Sequence, residues 1–348
     1  NEDGTYNTIS GFPCLRGIYD TLGIGFNIVK GSKTKKLLHL RYTLGRTFPH
    51  NLVGTFEIPD NVDCEELTVD TIIATTKTFT STLEYRKAQA SEVGVSVFRK
   101  AFFAADAEFE LVREFRFQQQ QFLAERKQYH RLYSCSVRAL ESDLTKQANQ
   151  TVRDQKGARQ VEALGTHFVE RAEFGGFVRV RSYVSSCILA TLSQAEVSAE
   201  VGNAFSSVAA TGSYQSSCDL FNTDAEFVKD VGGGRKSGVV LGDASDPNFL
   251  APWIETLHEA PTVTRRFLND ATVLLPEVEE SIRAYEDSYS GVEDEVVSDN
   301  PDPCRSVKRG ESKCAAVDDS GVTPVGLGKT FSIISVYIPV LVCICTLS

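Results

Sequence analysis

The chain has 348 residues, 42% of them hydrophobic and 21 of them phenylalanine, enough for one large core or two ordinary ones. A formal net charge of −10 offers nucleic acid no general attraction, so only a local basic patch would support that partner. Nine cysteines, the seven before residue 330 without close pairing, and five scattered histidines (His39, His50, His130, His167, His258) exclude zinc-site spacing. They favour a secreted chain with disulfides, against buried thiols in a cytosolic one.

The start, NEDGTYNTIS, is too polar for a signal peptide. Residues 1 to about 82 read as short strands and loops, among them HLRYTL and TVDTIIATTKTFTSTLEY, rich in Thr, Ile and Tyr. LGIGFNIVKG begins like a dinucleotide fingerprint, but Ile28 stands where the third glycine belongs.

From Val93 to Phe117 the odd positions are apolar in 11 of 13 cases, Arg99 and Arg113 being the exceptions. The even positions carry Glu92, Asp106, Glu108, Glu110 and Glu114. That is the alternation of an extended chain, longer than an ordinary strand. A membrane-crossing strand needs about 9 to 11 such residues with one face to lipid. Yet Phe98, Phe102, Ala105, Phe109 and Val112 follow helical spacing, so the segment reads both ways.

Next comes NQT at Asn149, a glycosylation acceptor in a secreted chain. EALGTHFVERAEFGG (Glu162–Gly176) leads into FVRVRSYV, whose alternation predicts a strand. A second dual segment, QAEVSAEVGNAFSSVAATGSYQSS, sets Ala195, Val197, Ala199 and Val201 against Glu196, Ser198 and Glu200 when extended. Wound as a helix it makes a stripe of Val197, Val201, Ala204 and Val208. GGGRKSG (Gly232–Gly238) fails as a phosphate loop because Arg235, not glycine, precedes the lysine. No G-x-S-x-G elbow fixes a serine, and His167 has no partner one helical turn away, so it reads as a structural histidine and no enzyme is predicted.

Ala251–Tyr289 is expected to hold helical stretches separated by Pro261 and Pro276. Beyond Tyr289 an acidic, loop-like stretch contains Cys304 and Cys314, spaced to close a small loop. The run from Phe331 onward is almost wholly apolar. Behind Ser320-Gly321 and a short spacer it fits a cleaved lipid-anchor signal, with an uncleaved anchor or a frameshifted end as alternatives.

Together these features resemble the membrane attack complex/perforin (MACPF) family. Leu164-Gly165-Thr166-His167-Phe168 matches its signature with leucine replacing the first aromatic. Gly175-Gly176 and Gly232-Gly233-Gly234 match its glycine pair and later cluster. Gly23-Ile24-Gly25-Phe26 matches an early motif, and Trp253, Leu257, Pro261 and LLPEVEESIRAYEDSY match its end. The resemblance spans residues 14 to 289.

It implies an α+β fold of the MACPF/cholesterol-dependent-cytolysin type: a bent, twisted four-stranded antiparallel sheet flanked by two helical clusters. Those clusters, 92–128 and 194–229 by position, would unfurl into amphipathic β-hairpins as monomers ring up on a lipid membrane. Gly165 to Phe168 and the two glycine groups would form signature and hinge; Val97, Phe103, Phe109, Leu111, Phe115, Val197 and Val201 would face lipid. The resemblance also suggests a Cys187–Cys218 disulfide around the second cluster, with Cys14–Cys64 a further expectation and no partner assigned to Cys135. The implied division is 1–290 MACPF domain, 291–330 acidic linker and 331–348 hydrophobic tail. The implied protein is a secreted or surface pore former in defence or a toxin, monomeric in solution, without cofactor or metal. The alternative is a non-lytic extracellular member acting in development, adhesion or matrix.

Overall fold

The computed structural model describes residues 9–15, 17–52, 54–67, 73–79, 82–93, 95, 121–185, 192–211, 225–235 and 250–289. Two long strands make the centre, β7 (Gln121–Val137) and β8 (His167–Ser185), antiparallel along most of their length. Alternation explains β8: Ala172, Phe174, Val178, Val180, Ser182 and Val184 are buried on one face. Arg179 and Arg181 stand on the other, across from Lys127 and Glu125.

Each flank of this pair is shared by two shorter strands placed end to end. On the β7 side, β6 (Ile73–Phe79) pairs with residues 123–129 and β5 (Val62–Glu66) with 133–137. On the β8 side, β9 (Ala225–Gly232) pairs with 177–184 and β10 (Thr262–Asp270) with 167–175. The result is a four-stranded antiparallel sheet in two tiers. A hairpin of β1 (Ile24–Asn27) and β2 (Ser32–Lys36) joins β8 at Phe168 and His167, and β3 (Thr47–His50) with β4 (Gly54–Glu57) forms a separate hairpin.

The tiers meet at a bend with a local cause. Register shifts fall between Arg131 and Tyr133 in β7 and between Val263 and Arg265 in β10, both opposite Phe174 and its neighbours in β8. An extra residue on each side of one strand turns all three together.

Helices cover both faces of the sheet. Helix α1 (Thr82–Glu92) lies over the charged face of the upper tier, where Tyr85 meets Phe79 edge-on at 5.1 Å. Helices α2 (Lys146–Asp154) and α3 (Ala158–Leu164) follow β7. Thr145 caps α2 by accepting the Ala148 N–H at 3.1 Å. Helix α4 (Gln194–Thr211) covers the apolar face of the upper tier, α5 (Ala251–Ile254) packs at the bend, and α6 (Glu279–Asp287) packs on α3.

Four expectations are corrected. HLRYTL is not a strand: Asp60 takes the backbone N–H groups of Thr43 and Leu44 at 2.8 and 3.0 Å, doing the work of a neighbouring strand. Thr262–Asp270 is strand rather than helix, because β-branched Thr262, Val263 and Thr264 find an open edge of β8. The first dual segment does not extend as a helical cluster to residue 128, since β7 begins at Gln121, and the second gives way to β9 from Ala225. Finally, Cys64 is bonded to Cys135, directly opposite in the β5–β7 ladder at a Cα separation of 4.1 Å, and not to Cys14. Cys14 instead bridges Glu57 of β4.

Candidate functional site

The glycine-lined bend, the signature that anchors the sheet's lower end, and the helices laid on the upper tier make up the candidate site. At the bend a Cβ on Gly175 would lie 2.0 Å from the His130 carbonyl oxygen, and one on Gly176 would lie 2.3 Å from Leu257 and 2.6 Å from Trp253. Gly233 sits at φ 84°, against the backbone of Gly175 and Gly176, a conformation that favours glycine. Trp253, 1% exposed, closes the assembly: its indole N–H donates to the Gly233 carbonyl at 2.9 Å. Gly232 ends β9 against the Phe177 ring, and Gly233 and Gly234 follow it against the same indole that covers Gly176.

The signature ties three strands at the sheet's lower end. Gly165 ends α3 at φ 88° and lies against the Phe26 backbone. The Thr166 hydroxyl donates to the Phe26 carbonyl at 3.2 Å and accepts the Ile28 N–H at 3.1 Å. His167 Nδ1 lies 3.0 Å from the same hydroxyl, so the imidazole is tied to the side chain that joins β8 to β1. Phe168 is fully buried. His167 is thus a buried structural residue, and no group of three or more His, Cys, Asp or Glu among the described residues could hold a metal.

All four upper strand ends lie at one level. Phe79 of β6 is in register with Leu123 of β7, Gln121 with Ser185 of β8, and Val184 with Ala225 of β9. The two connections leaving this end, residues 80–120 and 186–224, contain the two dual segments, and each joins neighbouring antiparallel strands.

Helix α4 is the described part of the second connection. Val197, Val201, Ala204, Phe205, Val208 and Ala209 are buried, so the helical stripe is the docked face. The surface beneath is not purely apolar. Arg126 stacks its guanidinium 5.3 Å from the Phe205 ring, Lys229 donates to the Ala209 carbonyl at 3.0 Å, and the buried Ser182 hydroxyl has no hydrogen-bond partner among the described residues. Burial pulls Arg126 below its usual pKa, the mark of a cation held away from water.

Helix α1 opens the first connection and is moored at its far end. The Glu92 carboxylate accepts from Lys127 and from the Tyr129 hydroxyl. The Glu92 carbonyl accepts from Arg265 Nε at 2.8 Å, and the Val93 carbonyl from Leu268 N at 2.9 Å. Sequence reasoning missed this mooring, although Glu125 and Lys127, two apart in FLAERKQY, mark a polar face on β7. Of the expected membrane-facing residues, Val197 and Val201 lie on α4; Val97, Phe103, Phe109, Leu111 and Phe115 lie outside the described residues, as do Cys187, Cys218, Cys304 and Cys314. Asn149 is exposed on α2.

The family model of the MAC/Perforin domain matches residues 15–291. The chain belongs to the MAC/Perforin family. Its α+β fold, a central antiparallel sheet flanked by helices, is the MACPF/cholesterol-dependent-cytolysin fold, and the family's members are non-catalytic. No curated protein matches the chain. Among solved structures it is similar to GNIP1Aa from Chromobacterium piscinae at 16% identity and TM-score 0.55, covering 80% of this chain and 56% of that one. A putative cell invasion protein with a MAC/Perforin domain from Bacteroides thetaiotaomicron aligns at 12% identity and TM-score 0.49, over 82% of this chain and 64% of that one. Astrotactin-2, a vertebrate perforin-like membrane protein, aligns at 11% identity and TM-score 0.40, over 76% and 44%. This MAC/Perforin chain thus spans little more than half the length of the GNIP1Aa structure.

Proposed function

We propose that the protein is a secreted or surface-bound pore former of the perforin type, which oligomerises on a lipid membrane and inserts residues 80–120 and 186–224 as amphipathic β-hairpins. The observation that carries this reading is topological: both dual segments connect adjacent antiparallel strands whose ends are level. Extending them would lengthen two existing hairpins without changing any pairing already made. Each arm would hold about 20 residues, or about 65 Å at strand rise, beyond what a hydrocarbon core of about 30 Å requires. Lipid accepts such strands only once neighbours close the barrel, because an open edge leaves backbone groups unbonded. Holding the second segment as α4 on the sheet, over a surface laced with Arg126, Lys229 and Ser182, suits that delay.

Arg99 and Arg113 fall on the apolar side of the first segment, where a lipid-facing arginine costs about 2 to 4 kcal/mol at midplane. They favour the alternative, a non-lytic extracellular member in development, adhesion or matrix. The purified chain mixed with dye-loaded liposomes and imaged by electron microscopy separates the two. Dye release with ring-shaped assemblies is the expected result; neither release nor rings at saturating protein would leave the non-lytic role.

A further inference from the structure

A cavity of about 180 Å³ lies between α1 and the charged face of the upper tier, reaching from the Glu92 mooring to the bend. Its wall holds four cations, Lys77, Lys127, Arg131 and Arg265, against three carboxylates, Glu92, Glu125 and Glu173. Two of the carboxylates are committed. Glu92 is paired with Lys127 and Glu173 accepts from Arg131 Nη1 at 3.2 Å, whereas Glu125 Oε2 stands 3.8 Å from Arg179, behind the wall, and has no hydrogen-bond partner among the described residues. Lys77 and Arg265 are left without a carboxylate among the described residues. Arg265 spends its Nε on the Glu92 carbonyl, and Arg131 keeps a buried Nε with no hydrogen-bond partner among the described residues.

An uncompensated pair of cations and an unbonded guanidinium N–H around one cavity are more donors than its one unbonded acceptor, Glu125 Oε2, can satisfy. We infer that this cavity is a binding site for a small soluble anion of phosphate or carboxylate chemistry, held by Lys77, Arg131 Nε and Arg265. Gln89 and Ser91 bring neutral polar groups from α1 to the same wall. A bound anion would therefore touch both helix and sheet and hold α1 in place. The inference concerns the soluble monomer and stands whether or not the protein makes pores.

The test is calorimetric titration of the full chain with inorganic phosphate, using chloride at matched ionic strength as control, alongside hydrogen exchange of residues 82–92. Phosphate should bind in one set of sites and raise the protection of α1, while chloride does neither. Arg265→Gln should weaken binding about tenfold or more, the loss expected of one charge-assisted contact. Lys77 is exposed, so Lys77→Gln will fold, and it should weaken binding about fivefold. No heat and no added protection at tens of millimolar phosphate, or equal affinity in wild type and Lys77→Gln, would overturn the site. A lipid headgroup carries the same chemistry. If vesicles of phosphatidic acid bound through Lys77 and Arg265 while free phosphate did not, the soluble-anion assignment would be wrong.

Discussion

Gly176 carries more of the architecture than its size suggests, because Trp253 and Leu257 occupy the space a side chain would need. Gly176→Ala should destabilise the protein by about 1 to 3 kcal/mol through overpacking, read as a lower midpoint in urea. An unchanged midpoint would mean that the indole shifts freely and that the bend is not clamped. Glu92 makes a different claim, about acid. Burial works to raise its pKa, but the Lys127 ammonium and the bonds from Lys127 and Tyr129 outweigh it and hold the carboxyl below its usual 4.5. Its contribution is then complete above 4.5 and lost as the pH falls through the lower, folded value. Glu125 beside it is pushed up by burial, so its effect has the opposite sign and lies above 4.5. Burial also lowers Lys127, but from an ordinary value of 10.5, on the alkaline side, so the acid limb is assigned to Glu92. Amide exchange across 82–92 should accelerate below about pH 4.5 relative to the lower tier, and Glu92→Gln should abolish that pH dependence while leaving α1 looser at pH 7.

Helix α4 shows why sequence pattern alone left its two forms undecided. Val197 and Val201 belong both to the odd-numbered set of a strand and to the i, i+4 stripe of a helix, and residues four apart satisfy both periods. What selects the helix in the monomer is the sheet beneath it, which buries Val201, Ala204 and Val208 together. Tertiary context also decided β10: Thr262–Asp270 contains charged Arg265 and Arg266, but an unfilled edge of β8 supplied partners that no local pattern announces. Strand β8 was legible because its alternation persists through Phe177–Val184 with valine and arginine on opposite sides. Environment-sensitive dyes should expose the two forms of α4. In the soluble protein, labels at Val197, Val201, Ala204 and Val208 should report a buried setting with helical period. On liposomes the period should become two, with 197, 199 and 201 in lipid and 198 and 200 in water. A helical period persisting on dye-releasing liposomes would exclude α4 as an inserting hairpin.

The molecule as a whole divides at the bend, and the division explains what could and could not be foreseen. The signature, the glycine groups and Trp253 stood out in sequence because each position tolerates so few side chains. The ion pair that holds α1 did not, since many charge placements serve an exposed helix and only register chose Lys127. The Cys64–Cys135 bond was equally hidden: it depends on β5 lying opposite β7, and its sequence separation of 71 gives no local hint. By the chain-entropy argument a loop of that length is worth about 4 kcal/mol. It acts wholly in the lower tier, where Thr166 and His167 also tie β8 to β1, while the upper tier has α1 and α4 laid over it on partly polar surfaces. Opening should therefore stop at the bend. In hydrogen exchange before and after assembly on liposomes, residues 133–137 and 167–174 should keep their protection, and α1 should lose the helical pattern it shows in the monomer. Reducing the disulfide should lower the melting temperature by about 8 to 16 °C, taking about 2 to 4 °C per kcal/mol for a large domain. It should also spread the exchange change into 133–137. A change spread evenly over both tiers with the disulfide intact would show that the sheet responds as one body, and the bend would lose its role as the boundary of the motion.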